Sequence, residues 1–551
     1  MRYKSIFIII LCLACAACAN KLSFDEIKTK PKSLAKDYYI YRLLSENGSV
    51  TTEQAASLYD EVSRMNPNLK SEFVKKIGLS ESDKQEQACR DVAKKNISNL
   101  PDECVKLIIY PSFVLSLDNS TRDKLKTRLL KLNYDFAAGW VEAMGAKDVF
   151  TALSKKGAKE FLLVFNGVSE SYRKTYLDKN LTQAFVKELS SDKGFEKFVK
   201  TVAIGEPRFQ ALPKSLLYDT QNASLTFESF FFLGINAAKF KKKKLAENFF
   251  QKAEQKAYSK VDKDKSLFWQ YLVSSNNETL TRLSESYNIN IYSLYAKELL
   301  GVYISGVTFL TSSENKSKEN FNIKDPFAWK ALLDEAKNTP LEEMEKLALR
   351  FNSKETLPIY AFLMERGTQY RQSYFTEPYS EYLEGIKNER KAMILSLGRK
   401  ESYLVPATIS TSYALGMMQF MPFLARDTAA ALKMKDFDID DMFDPKIAYK
   451  FANIHLDYLN LYLYHPLFVA YAYNGGIGFT RRMLQSGHFF NNGEYEPFLS
   501  METISYEESR EYGKSVLAYY VVYSKQLGLD VSLKALLKAL TKPAETDEFR
   551  Q

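Results

Sequence analysis

The sequence is poor in histidine, cysteine, glycine and proline: 3, 5, 22 and 16 residues among 551. Each scarcity narrows what the chain can be. His455, His465 and His488 have no partners at ligand spacing and no C-x-x-C pair occurs, so no metal site is expected and no cofactor either. Low glycine and proline beside abundant Leu, Lys, Glu and Ala favour helices, and no convincing alternating strand is present. There is no dense Lys/Arg tract with interleaved aromatics, so nucleic acid is not an expected partner. The run "KFKKKK" at Lys239–Lys244 reads as a solvated helix start. The formal charge of +9 comes from 76 basic and 67 acidic residues spread along the chain. That balance suits an anionic polymer or surface.

Nor is there an apolar run long enough to cross a bilayer, because the one at Ile6–Leu13 is too short. It follows the basic Arg2 and Lys4 and precedes Ala17-Cys18-Ala19, an A-x-A cleavage pattern. Residues 1–19 therefore read as an export signal removed before Asn20. A lipoprotein signal leaving Cys18 or Cys15 for lipidation is the rival. Removal of the signal leaves Cys89 and Cys104, an even pair in an oxidising compartment. They are expected to form a structural disulfide worth roughly 3 kcal/mol.

A chain of this length is too long for one core. Residues 20–320 show successive short amphipathic helices, such as "STRDKLKTRLLKLNYDFAAGWVEAM", which suggest an irregular helical superhelix. A compact helical bundle is the alternative. Thr311–Asn320 is polar and aperiodic, a linker. A smaller helical unit occupies 321–375, and a segment richer in Met, Tyr and Gly occupies 376–551. The expected fold class is all-α throughout.

The last segment carries the chemistry. In "NERKAMILSLGRKES", Leu397 and Ile394 lie four and seven residues before Glu401, which therefore extends an apolar stripe at the end of a helix. Desolvation and the negative pole of the helix dipole both push its carboxyl pKa upward, as a general acid requires. Ser410 follows, then "GMMQFMP": Gly416 permits a close backbone approach, Gln419 offers an amide, and Met418 and Met421 offer apolar contacts. Pro422 suits a first helical turn. Further on come Tyr473-Asn474 before Gly475-Gly476, and "YEESREYGKSVLAYY" with Glu508 and Tyr512 at the head of a helix.

Together these motifs resemble the soluble lytic murein transglycosylases. That family carries E-S after an apolar helix, then S-x-x-G-A-x-G-L-M-Q-x-M-P, then A-Y-N-A-G, then a segment like I-P-F-S-E-T-R-x-Y-V-x-N-V-L-x-Y. Here the matching stretches are Glu401-Ser402, Ser410–Pro422, Tyr473-Asn474 and Ile504–Tyr519. Tyr413, Met417 and Gly475 stand where the family has Gly, Leu and Ala, and Ala448 and Ala452 replace Asn and Gly. The region before residue 376 is similar to the family's superhelical and linker domains, with weaker motifs. The resemblance implies a periplasmic enzyme with a superhelix able to close into a ring and a lysozyme-like catalytic domain. Its partners would be peptidoglycan strands and muropeptides, compatible with peripheral cell-wall association.

Carried over residue by residue, the resemblance makes Glu401 the acid and base that cleaves the β-1,4 MurNAc–GlcNAc bond with 1,6-anhydro ends. Tyr473 is expected to hydrogen-bond that carboxyl. Ser410, Met418, Gln419, Met421, Asn474 and Glu508 are expected around the substrate. A hydrolytic muramidase would need a second carboxylate, with Asp427, Asp436 and Asp438 as candidates. A non-catalytic wall-binding scaffold is a further alternative. Asp178-Lys179-Asn180-Leu181-Thr182 resembles the extended bacterial sequon, making Asn180 a candidate glycosylation site.

Overall fold

The computed structural model describes residues 22–46, 48–95, 100–205, 209–220, 222–311, 320–490 and 493–551. The expected signal segment, with Cys15 and Cys18, and nearly all of the 311–320 linker lie outside the described residues. Helices dominate, as the composition predicts. The contacts divide the chain into two compact units, each discontinuous in sequence. One comprises Met1–Leu79, Asn322–Lys337 and Val405–Ala448; the other comprises Ser80–Phe321, Asn338–Leu404 and Tyr449–Gln551.

In the larger unit, successive helices pack on their neighbours. Phe227–Lys239 packs on Lys243–Lys256, which packs on Lys260–Ser274, which packs on Asn277–Ser284, then Ile291–Leu300. Nearest-neighbour stacking of this kind is how helical solenoids bury their apolar faces. The first pair approaches so closely at Gly234 that an added Cβ would lie 2.5 Å from Phe250 Cε1. Cys89 and Cys104 are joined in a disulfide with a Cα–Cα distance of 5.3 Å, tying Glu81–Lys95 to Asp102–Ile108.

The sequence showed no strand, yet Val307–Leu310 and Ser373–Thr376 form a two-stranded parallel sheet with Val307 opposite Ser373. Each strand has four residues, too few for an alternating pattern to stand out. Phe375 of the second strand is fully buried and lies under the Arg399 guanidinium, 3.9 Å from ring centroid to Cζ.

The smaller unit is held by charges far apart in sequence. The Leu34–Glu46 helix presents Arg42 to Asp438 at 2.8 Å and to Asp440 at 2.8 Å. Tyr38 and Tyr39 donate to the two oxygens of Asp440 at 2.7 and 3.0 Å. Asp438 also caps the short 3₁₀ helix Ile439–Phe443. The buried Arg42 thus meets carboxylates that are themselves hydrogen-bonded, which such a charge requires.

Candidate active site

Glu401 lies in the last turn of the Asn388–Ser402 helix. That helix ends with Tyr403 and Leu404 at φ of +57° and +64°. Their N–H groups return to the carbonyls of Arg399 and Gly398 at 3.0 and 3.1 Å, closing the end without a glycine. Arg399 is buried two residues before Glu401, donating to the Tyr374 carbonyl at 2.7 Å and pairing with Glu365. Residues two apart point to opposite sides of a helix, so this anchor leaves Glu401 on the other face.

There the Tyr512 hydroxyl donates to Glu401 Oε1 at 2.7 Å. Burial pushes its pKa up from 4.5 to about 7, against the pull of the Tyr512 hydrogen bond and Lys400, with a further push from Glu508. The side chain nevertheless keeps part of its surface open to solvent. A carboxyl that is half protonated near neutrality and still reachable is suited to proton transfer. The phenol of Tyr473 is raised well above its ordinary value, first by burial and then by the charge of Glu401. His455 packs edge-on against Tyr473 at 5.6 Å and is kept neutral, its pKa pushed down to about 4 by burial.

Tyr512 reaches Glu401 because the Glu507–Gln526 helix runs unusually close to Pro466–Gly475. A Cβ on Gly513 would lie 2.2 Å from Tyr471 Cε1. At the head of the same helix, Ser509 donates to Asn474 Oδ1 at 2.6 Å, and Asn474 donates to Glu508 at 3.3 Å. Tyr506 holds the other oxygen of Glu508 at 3.0 Å. A Cβ at Gly475 would meet Ser509 Oγ at 2.6 Å, which accounts for glycine there in place of alanine. A buried ionic network fixes the helix from behind. Lys514 bridges Glu502 at 2.8 Å and Glu511 at 3.0 Å, and Tyr292 donates to Glu502.

The Ser410–Pro422 stretch belongs to the other compact unit, where it forms a tight double turn. Ser410 Oγ accepts from the Ala414 and Ser412 N–H groups at 2.9 and 3.2 Å. Gln419, at φ +48°, donates its amide to the Gly416 and Thr408 carbonyls at 2.7 and 3.2 Å. Gly416 has φ +75°, and a Cβ there would lie 2.0 Å from Met442 O, so no other residue fits. Met418 is fully buried and its contacts are with the protein; Met421 is half-buried and precedes Pro422 at the start of Pro422–Ala431. Tyr413 adopts φ +64°, where the resembled family has Gly, and its ring packs on Tyr41 and Tyr38 at 5.3 and 5.9 Å.

The sequence therefore marked five residues that the larger unit brings together: Glu401, Tyr473, Asn474, Glu508 and, with no assigned role, Tyr512. The sequence did not assign Tyr512 the hydrogen bond that its hydroxyl donates to Glu401. Asp438 is engaged by Arg42 and the cap, while Asp427 and Asp436 are exposed. Asn180 is exposed, and Asp178 of its sequon accepts from the Gln210, Ala211 and Leu212 N–H groups. Among the described residues no group of three His, Cys, Asp or Glu is placed to hold a metal ion. No described helix is long and apolar enough to cross a membrane.

Residues 378–494 match the family model described as the Transglycosylase SLT domain. A Haemophilus influenzae protein named for the same activity is 26% identical over 199 residues, 35% of this chain and 33% of its own. The soluble lytic murein transglycosylase of Escherichia coli K12 is 26% identical over 156 residues, 28% of this chain and 23% of its own. The chain thus matches about a third or less of the length of these curated relatives. A solved lytic transglycosylase Slt from Pseudomonas aeruginosa, an inactive mutant, aligns with a TM-score of 0.50 at 16% identity. That alignment covers 91% of this chain and 83% of the other, a likeness of fold. The chain accordingly carries, within residues 378–494, a domain of the transglycosylase SLT family.

Proposed function

We propose that the chain is a peptidoglycan lytic transglycosylase that cleaves the β-1,4 bond between N-acetylmuramic acid and N-acetylglucosamine. The observation that carries this is Glu401, a solvent-reachable carboxyl pushed up to about 7 and held by the Tyr512 hydroxyl. Protonated, Glu401 gives its proton to the departing glycosidic oxygen. Ionised, it takes the proton of the muramic acid 6-hydroxyl, which attacks C1 of its own sugar. The attack is intramolecular and gains a high effective molarity. No water is consumed, and the product carries a 1,6-anhydro end.

In this proposal Tyr512 orients Glu401, and Tyr473, Asn474 and Glu508 contact the sugar around it. Ser410, Gln419 and Met421 are assigned substrate contacts on the strength of the motif, with Met418 as the apolar support of their turn. One carboxyl working twice favours this reading over a hydrolytic muramidase, since Asp438 is already paired with Arg42. In the same proposal the protein works in the periplasm, associated peripherally with the wall, as the expected export signal over residues 1–19 would suit, and Asn180 is a glycan acceptor. Isolated cell walls incubated with the wild-type and Glu401→Gln proteins test the activity. Release of soluble fragments by the wild type alone supports it, and equal release by both removes Glu401 from the mechanism.

A further inference from the structure

Exposed aromatic rings are concentrated beside the candidate site. Within ten residues at the end of Pro445–Asn460 and just beyond, Tyr458, Leu461, Tyr462 and Tyr464 are 46, 64, 37 and 46% exposed. The rings form an unbroken row that starts at the site itself. Tyr473 touches His455 at 5.6 Å, His455 touches Tyr458 at 6.1 Å, and Tyr458 touches Tyr462 at 6.0 Å. Tyr462 then stacks on Phe549 at 5.6 Å with planes 14° apart. Arg481 lies over Phe549 at 5.8 Å and forms no ion pair with an acidic side chain among the described residues.

The row is rigidly built. The C-terminal segment docks on it through the antiparallel bridge Leu463–Asp547, with Glu548 N–H donating to the Tyr462 carbonyl at 2.9 Å and Tyr464 N–H to the Thr546 carbonyl at 2.9 Å. Beneath, Asp547 and Arg550 form an ion pair at 2.8 Å with both side chains fully buried. Two adjoining exposed rings, Tyr458 and Tyr462, set between the part-buried His455 and Phe549 on a fixed base, mark a binding surface more than a solvated one.

We propose that the exposed rings of Tyr458 and Tyr462, continued inward by His455 and backed by Phe549, form a ledge that receives the strand of β-1,4-linked N-acetylhexosamines running away from Glu401. Pyranose rings present apolar C–H faces that fit the electron-rich faces of tyrosine. Arg481 is placed to meet a carboxylate of the peptide substituents. Two features favour this occupant: ring contact continues without a gap from Tyr473 beside Glu401, and the chain is cationic at +9 while the polymer is acidic. The inference rests on the glycan-cleaving reading and extends the site beyond the scissile bond.

The test uses the full chain carrying Glu401→Gln, so that ligand is not consumed, and calorimetric titration with the trimer and the octamer of N-acetylglucosamine. The octamer is expected to bind about tenfold tighter than the trimer, and Tyr458→Ala/Tyr462→Ala should bring the two within about twofold. Tyr458→Phe/Tyr462→Phe keeps the rings and should keep the ratio, which separates ring loss from misfolding. Arg481→Gln should weaken peptide-bearing wall strands about fivefold and leave the octamer unchanged, distinguishing a peptidoglycan strand from a bare one. An unchanged octamer-to-trimer ratio in the alanine variant would overturn the ledge. So would loss of self-association in that variant, by sedimentation, with the ratio intact, since the occupant would then be a second copy. Turnover of cell walls by the wild type is recorded in parallel. Its absence would sink the enzymatic reading, while the binding ratio judges the ledge separately.

Discussion

Around Glu401 and within the 408–420 turn, the two motif-bearing regions use their polar groups in opposite ways. The turn spends its polar groups on itself: Ser410 and Gln419 saturate backbone N–H and carbonyl groups, and Gly416 admits a carbonyl where any Cβ would collide. The Glu401 neighbourhood holds a carboxyl in apolar surroundings with a hydroxyl donor, which leaves it close to its protonation midpoint at neutral pH. Self-satisfied polar groups make scaffold, and an under-satisfied one is reactive. The difference predicts opposite consequences for mutation in the two regions.

The largest contrast is expected at Glu401. Glu401→Gln should lower turnover of wall fragments by about 10²–10⁴-fold, since the amide cannot supply a proton. The same change should stabilise the fold, in a pH-dependent way. The folded carboxyl is raised from 4.5 to about 7, so the folded state holds its proton more tightly than the unfolded state. Ionising it costs stability that is lost as pH rises between those values, and the loss is complete above pH 8. The variant should then exceed the wild type by on the order of 2 kcal/mol above pH 8, with no such gain below pH 4. Urea denaturation at both pH values checks this, and equal stabilities at high pH would contradict it.

Tyr512→Phe comes next. Loss of its hydroxyl removes a hydrogen bond that orients the carboxyl and lowers its pKa, so kcat should fall about tenfold or more. The alkaline limb of the pH–rate profile should shift to higher pH; a shift to lower pH would show that Tyr512 acts otherwise.

In the turn, effects should appear in stability, joined by an effect on turnover where a side chain also meets the substrate. Gly416→Ala should destabilise the protein by about 3 kcal/mol, read as a lowered denaturation midpoint, because strain at positive φ adds to the clash with Met442. Gln419→Ala removes its amide bonds to Gly416 and Thr408 and should cost about 1 kcal/mol of stability. A fall in kcat/KM beyond that would place Gln419 on the substrate, as proposed.

Much of this was legible in the sequence. Glu401 announced itself by its place at the end of the Ile394–Leu397 stripe and by the motifs that follow, because helix periodicity and local dipole are local properties. A close backbone approach at Gly416 was legible in the motif, but the carbonyl it admits belongs to Met442, distant in sequence. What the sequence did not disclose depends on distant pairs. Tyr512 meets Glu401 only because Gly513 lets its helix approach Tyr471, a contact across 111 residues from donor to acceptor. Asp438 could be read as a spare carboxylate until Arg42, 396 residues away, was found against it. The parallel strand pair escaped notice because it is short and its partners are remote. Tyr413, where the family has Gly, has its physical reason in the rings of Tyr38 and Tyr41 that it packs against.

The central claim is that one carboxyl, Glu401, serves as both acid and base and that the sugar's own 6-hydroxyl replaces water. Mass analysis of the soluble fragments released from purified peptidoglycan tests it most directly. The account predicts fragments lighter by one water than hydrolysed ones, lacking a reducing end, and absent when Glu401→Gln is used. Fragments with reducing ends would contradict it and would transfer the chain to the muramidase reading.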